Sequence, residues 1–350
     1  MLFICYLILL SLILYGIQFN RNGFFTDYIT KEQCNNIKGI FILLVFISHS
    51  LQYIDKAGYV NDNILDVIFT KCSSVMGQLI VVMFLFYSGF GIMESVKRSD
   101  FDGGGGGYIK SLPSRRLWPT LRNFDIAVIC FIILNVLLGI KMEVNQVIFS
   151  FIGWDSVGNS NWYIFDILLC YSSTYITFSI CKDRKKAVLL NTLLLVSLMA
   201  IIYFVKPFWW YDTILSYSAG MIYSFNKSRV ERILQNRFFV VLSTSSMIII
   251  LLELTHVDYL GIVHNVESVV FALLVVTLTM KVKNNNKYLN WCGRNLFSMY
   301  IYQRIPMILL FTLVSKKSVI FTYPVLFILL SFVGTLLIVA IYNKVVFNKK

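Results

Sequence analysis

Apolar residues in this chain come in long unbroken runs. They show neither the alternation of a half-buried strand nor the single stripe of a soluble helix. A window of about 19 residues finds apolar segments near 2–19, 37–54, 67–93, 124–140, 162–181, 187–205, 209–225, 238–254, 262–280, 296–314 and 321–342. A helix of about 20 residues spans the ~30 Å hydrocarbon core, whereas a barrel strand would alternate over about ten positions. The pattern therefore predicts an all-α polytopic membrane protein with about eleven transmembrane helices. Segment 67–93 is longer than one span needs, and 209–225 is diluted by Ser and Tyr. The first segment lacks the basic start and small-residue cleavage site of a signal peptide and is read as a retained helix.

Composition agrees. Hydrophobic residues make up 57% and charged residues 14%, against about 45–50% and about 25% in soluble domains. With 29 Phe and 20 Tyr the chain is also too aromatic to be disordered. A net charge of +13 would suggest nucleic acid for a soluble protein, but its placement gives another meaning. Alternate connections, 20–37, 94–123, 182–186, 226–237, 281–295 and 343–350, carry 23 of the 31 Lys and Arg residues, and the intervening ones carry six. By the positive-inside rule the N-terminus is expected outside and the C-terminus in the cytoplasm. The partner is then the lipid bilayer, with no nucleic acid. The seven cysteines form no CxxC pair, so neither a disulfide framework nor a metal site is expected.

The longest connection, 94–123, holds five consecutive glycines, Gly103 to Gly107, and then Lys110, Arg115, Arg116 and Arg122. The glycines read as a flexible linker, because the strand, helix and Lys-Ser/Thr pair of a phosphate loop are missing. The basic residues make this the most positive internal surface.

Ionisable groups inside apolar segments are costly and point to function by default. Lys38 opens the second segment and His49 lies eleven residues on. Eleven helical steps turn about 1100°, about 20° past three full turns, so both side chains share a face about 16 Å apart along the axis. A lone His is more often a hydrogen-bonded structural residue. Yet the chain has three, His256 and His264 fall near an external loop, and no acid lies within a turn of His49. An imidazole there suits a general base at neutral pH. Trp162 and Asp166 share a helix face. Glu267 one turn after His264, and Arg304 beside Gln303, read first as pairing between helices. Ser88-Gly89 reads as a close-packing site.

These residues resemble the membrane acyltransferase 3 family of multi-pass O-acyltransferases. The matching stretches are Asn36-Ile37-Lys38-Gly39-Ile40 into Val45-Phe46-Ile47-Ser48-His49, then Met83 to Gly91, the basic stretch Tyr108 to Leu117, Asn161-Trp162-Tyr163, and Trp291 to Pro306. A Lys or Arg followed after ten residues by His is the family's signature. Many members also carry two arginines three apart before a proline. Counting back from Pro119, Arg116 fits one, and Pro113 stands at the other, with Arg115 or Lys110 as the candidate substitute.

The resemblance implies a ten-helix acyltransferase domain over 36–343, preceded by an N-terminal helix and linker over 1–35 and followed by a tail over 344–350. It implies transfer of an acetyl group from cytoplasmic acetyl-CoA to a hydroxyl of an extracytoplasmic carbohydrate such as a lipid-linked glycan, in the inner membrane of a bacterium. His49 is then the catalytic residue, as general base or transient acyl carrier. Lys38, Arg115, Arg116 and Arg122 are the expected donor contacts, and Trp162 and Asp166 the acceptor candidates. Trp154, Trp209, Trp210 and Tyr211 suit either sugar stacking or an interfacial belt. A polysaccharide polymerase or lipid-linked sugar exporter has similar length, but its large external loops are missing here. A transporter's internal repeats are not evident, and a membrane sensor would keep a binding site without chemistry.

Overall fold

A computed structural model of the chain describes residues 2–59, 63–101, 107–255, 261–314 and 318–347. His256 and Gly103 to Gly106 lie outside them. In chain order the helices are α1 (Phe3–Leu14), α2 (Lys31–Lys56), α3 (Ile64–Met76), α4 (Leu79–Phe101), α5 (Gly107–Leu112), α6 (Trp118–Leu137), α7 (Val144–Ser150), α8 (Trp162–Ile180) and α9 (Arg184–Tyr203). They continue as α10 (Leu215–Phe225), α11 (Lys227–Asn236), α12 (Phe238–Thr255), α13 (Gly261–Thr279), α14 (Lys287–Arg294), α15 (Leu296–Tyr302), α16 (Arg304–Leu313), α17 (Val319–Thr322) and α18 (Pro324–Phe347). Two three-residue strands, β1 (Ile17–Phe19) and β2 (Val282–Asn284), pair antiparallel with Gln18 opposite Lys283. The protein is an all-α polytopic membrane protein.

Every predicted span contains a helix, but not every helix can cross. Among the described residues eight are long and apolar enough, and nine if α11 and α12, bent by 91°, form one span. The two others are short for local reasons. Over 2–19 the helix stops at Leu14, because Gly16 adopts a φ of +84° and the chain turns into β1. Its 12 residues rise only about 18 Å against a ~30 Å core. Over 209–225 the first part is a 3₁₀ turn and an irregular segment, leaving the 11 residues of α10. The long 67–93 segment is two helices parted at Gly77, whose φ is +32°.

Polar residues at the boundaries start the helices. The side chains of Thr30, Asn63, Asp183 and Asn286 each accept a backbone N–H in the first turn of α2, α3, α9 and α14, supplying partners that a helix start otherwise lacks. A different device operates in the middle of the 107–137 helix. Pro113 brings no N–H, and the ladder widens to a π turn over Pro113–Leu117, which carries Arg115 and Arg116.

α4 lies at the centre. Leu79 to Phe86 are all buried, and 71% of the apolar window containing α4 is inside the protein, against 33% for α9. The half-exposed apolar faces of peripheral helices such as α9 and α18 are the lipid-facing surface. Two helix pairs are in backbone contact. A Cβ at Gly39 of α2 would overlap the Leu289 carbonyl of α14, and one at Gly293 would overlap the Asn35 carbonyl in return. Gly89 of α4 and Gly220 of α10 are related in the same way to the Tyr217 and Phe86 carbonyls. The packing role read for Ser88-Gly89 is thus borne out.

The N-terminal segment is fastened to the 281–295 segment by β1–β2 pairing, by Asn284 Nδ2 donating to the Ile13 carbonyl (2.6 Å), by Asn286 Nδ2 donating to the Leu12 carbonyl (2.7 Å), and by a Lys283–Asp27 ion pair.

Gly293→Ala is expected to lower the melting temperature of the detergent-solubilised protein, at or above the ~1–3 kcal/mol usual for overpacking. Gly91→Ala, where a Cβ meets nothing within 4 Å, should be neutral or slightly stabilising through helix propensity. Scanning fluorimetry of both variants checks this, and equal melting temperatures would contradict the close approach.

Candidate active site between two cavities

α2 is one uninterrupted helix of 26 residues, so the predicted Lys38–His49 geometry holds: one face, two levels. Each level opens into its own cavity. Near Lys38 a cavity of about 700 Å³ is lined by Lys31, Lys38, Arg98, Arg115, Arg116 and Arg294. Glu94 also lines it, but its carboxylate is engaged by Lys97 Nζ (2.5 Å) and accepts from Ser224 Oγ (2.8 Å). Among the described residues, none of Lys38, Arg115 and Arg116 has a carboxylate ion-pair partner. Lys38 and Arg116 are near enough to feel each other's charge. Unpaired cations converging on a cavity form an anion site, because phosphate or carboxylate oxygens would relieve their repulsion.

Arg122 does not line this cavity, although it lies within electrostatic reach of Tyr342, which does. Arg122 is exposed and donates to Asn123 Oδ1 (3.4 Å). Arg116, Pro119, Thr120 and Asn123 line the cavity at i, i+3, i+4 and i+7, the positions of one helix face, and position 122 falls off that face.

Near His49 a second cavity, of about 620 Å³, is lined among others by Gln52, Trp162, Trp209, Tyr300 and Arg304. His49 Nδ1 is buried with no hydrogen-bond partner. Its ring lies 6.3 Å from that of Tyr300, centroid to centroid. Tyr300 lines both cavities, and Tyr163 packs edge-on against it at 5.2 Å. At the start of α8 neighbouring residues divide, with Trp162 facing the His49 cavity and Tyr163 the basic one. Tyr300 and Tyr163 therefore form the partition, with His49 on one side of it.

Asp166 is placed differently from the sequence expectation. It lines neither cavity; it is fully buried with both carboxyl oxygens unpartnered and lies close enough to Asp212 to interact electrostatically. Sharing a face with Trp162 brings it behind the partition. Glu267 is paired within α13 rather than between helices, with Oε2 3.1 Å from His264 Nδ1. Trp154 and Trp210 are occupied by Lys206, whose ammonium sits 4.3 Å from each ring centroid and donates to the Trp154 carbonyl (2.6 Å). Burial pushes the Lys206 ammonium down from its ordinary range, opposed by nearby Asp155. This clasp ties the 151–161 segment to the 204–214 segment, which also carries Trp209.

Sequence reasoning missed Tyr300 and Tyr163 as partition residues. Both lie in stretches singled out for family resemblance, and the 300/304 spacing put Tyr300 one turn from Arg304. The helical path continues through Gln303, whose Nε2 donates to the Tyr300 carbonyl (3.0 Å), so Tyr300 and Arg304, four residues apart, both reach the His49 cavity.

A family model of acyltransferase 3, described as an acyltransferase domain, matches residues 32–343. No curated protein and no solved structure matches the chain.

A histidine kept for folding would have its ring nitrogens bonded. An unsatisfied buried nitrogen instead costs about 1–3 kcal/mol. His49→Leu is therefore expected to melt at the same temperature as the parent or a few degrees higher. A loss of several degrees in scanning fluorimetry would assign His49 a structural role.

Proposed function

This chain belongs to the acyltransferase 3 family, and on that premise we propose that it moves an acetyl group from acetyl-CoA to a hydroxyl of a carbohydrate across the membrane. The observation that carries the reading is the pair of cavities abutting at Tyr300, one rich in unpaired cations and the other holding His49.

The basic cavity fits the donor. CoA carries several phosphate charges, and Lys38, Arg115 and Arg116 offer unpaired cations to them. From the Lys38 level to the His49 level is about 16 Å along α2. That is roughly half of the ~30 Å hydrocarbon core, and the pantetheine arm is long enough to cover it. The basic end of the bundle is taken as cytoplasmic by the positive-inside rule. The acceptor then enters from the opposite side, where Trp162 and Trp209 offer flat faces to a sugar ring. The setting proposed is the inner membrane of a bacterium and the acceptor a lipid-linked or surface glycan.

His49 acts as general base. It takes the proton of the acceptor hydroxyl as that oxygen bonds to the thioester carbonyl carbon. When the carbon–sulfur bond breaks, His49 returns the proton to the departing thiolate, so the products are an O-acetyl ester and a free thiol. Tyr300 and Tyr163 hold the partition at which the thioester must arrive, and exclude water from it.

Removing a general base costs about 10²–10⁴-fold in rate, so His49→Ala should lower transfer of radiolabelled acetyl from acetyl-CoA to carbohydrate in membrane vesicles by that factor at unchanged protein level. Undiminished product would end the proposal. Lys38→Ala and Arg116→Ala should each raise the KM for acetyl-CoA by about tenfold, the effect of one lost charge-assisted contact, with a smaller change in kcat. An unchanged KM in both would remove the donor from the basic cavity. A polymerase or exporter would consume no acetyl-CoA in the same assay.

A further inference from the structure

We infer that the acceptor cavity recognises a negatively charged carbohydrate, one bearing a carboxylate or phosphate, and that Arg304 is the residue that reads the charge. The inference rests on the acyl-transfer reading for the identity of the cavity, and on separate observations for its charge preference. Arg304 opens α16, next to Gln303, and lines the His49 cavity but not the basic one. Its Nη2 donates to Gln52 Oε1 (3.1 Å), its guanidinium lies beside the Tyr53 hydroxyl, and its Nε is buried without a partner. A guanidinium has five N–H donors in a planar fork, so most of its capacity is left open.

Among the described residues Arg304 makes no ion pair. The carboxylate that lines the same cavity, Asp55, is exposed at the end of α2, beside Lys56. Arg304 is half-buried and its contact with Gln52 is exposed, so holding this cation without a counter-charge costs less than it would in the hydrocarbon core, but still costs. A ligand that arrives with the opposite charge offsets that cost only while it is bound, which makes the residue a discriminator between charged and neutral acceptors.

The placement suits a sugar. Gln52 anchors the guanidinium three residues beyond His49 on the same helix, about 4.5 Å along the axis, which is the width of a sugar ring. An anionic substituent held by Arg304 leaves a hydroxyl across the ring at the level of His49, with Trp162 and Trp209 to stack on the ring face.

The test uses the full chain in phosphatidylcholine nanodiscs, which present no anionic lipid. Its probes are methyl glucuronoside, glucose 1-phosphate and methyl glucoside. Binding is read from tryptophan fluorescence, and acetyl transfer from acetyl-CoA by mass spectrometry. One or both anionic probes should bind at least about tenfold tighter than methyl glucoside, the worth of a charge-assisted contact, with the preference shrinking as salt is raised. Arg304→Gln should erase the preference and Arg304→Lys keep part of it. Equal affinity of the parent protein for all three probes overturns the inference whether or not the variants fold, and so does a preference that survives in folded Arg304→Gln. Tighter binding of the anionic probes, erased in Arg304→Gln, with no acetyl transferred to any probe would overturn the acyl-transfer reading and leave the anion subsite standing. Acetyl transfer as fast to methyl glucoside as to the anionic probes, with equal binding, would do the reverse.

Discussion

Backbone-to-backbone contact at four glycines is the constraint on which the site depends. In lipid there is little hydrophobic drive to press one helix on another, so association relies on close van der Waals approach. Here that approach is placed next to the chemistry. Gly39 follows Lys38, Gly293 precedes Arg294 and Gly89 follows Ser88, and Lys38, Arg294 and Ser88 all line the basic cavity. The clamps draw α2 onto α14 and α4 onto α10 just where several cations would otherwise push the bundle apart. Repulsion among unpaired charges is tolerable only in a frame that cannot spread.

Within that frame α2 is regular over its whole length, whereas some of the elements that supply the cavities' other side chains are interrupted. α2 carries Lys38 and His49 on an unbroken ladder, so their separation is fixed by helical geometry alone. Two of the elements facing it depart from a regular ladder, parted at Gly77 and widened to a π turn at Pro113. Irregular backbone at membrane depth survives where it is buried in protein or borders a polar cavity. The π turn carries Arg115 and Arg116, and the parting at Gly77 borders the His49 cavity. Interruptions in the apolar pattern therefore mark where side chains are turned inward.

The same division explains what could be read from sequence. Lys38 and His49 were legible because both lie in one regular helix. Arg122 was misplaced because a run of basic residues looks continuous in sequence, while the π turn and the helix face after it send 116 and 122 to different sides. Asp166 shares a face with Trp162, yet four residues of rise separate a cavity wall from the interior behind it. Window hydropathy found an apolar segment at 2–19 but did not register that Gly16 turns the chain into a strand. It likewise gave 209–225 as one segment although helix begins only at Leu215. The glycine pairs were half legible: Gly89 stood in a small-residue context, whereas the matching role of Gly39 and Gly293 depends on two backbones meeting from distant parts of the chain.

The partition at Tyr300 sets conflicting demands on one residue. A bundle with a cavity of about 620 Å³ on one side and one of about 700 Å³ on the other would pass ions if the two joined, so the wall must stay closed. On the acyl-transfer reading, the thioester must still reach His49 through the same wall. Two packed aromatic rings reconcile these demands better than a charged gate would. Their edge-on contact at 5.2 Å excludes water when nothing is bound, and it can be replaced by the apolar part of a narrow, uncharged chain without leaving a charge unpaired. On the same reading the donor's phosphates would stay with Lys38 and Arg116, because moving them past Tyr300 would mean giving up those cations within an apolar passage. For such a donor the charges of the basic cavity would determine how far it enters, and the aromatic wall which part of it passes.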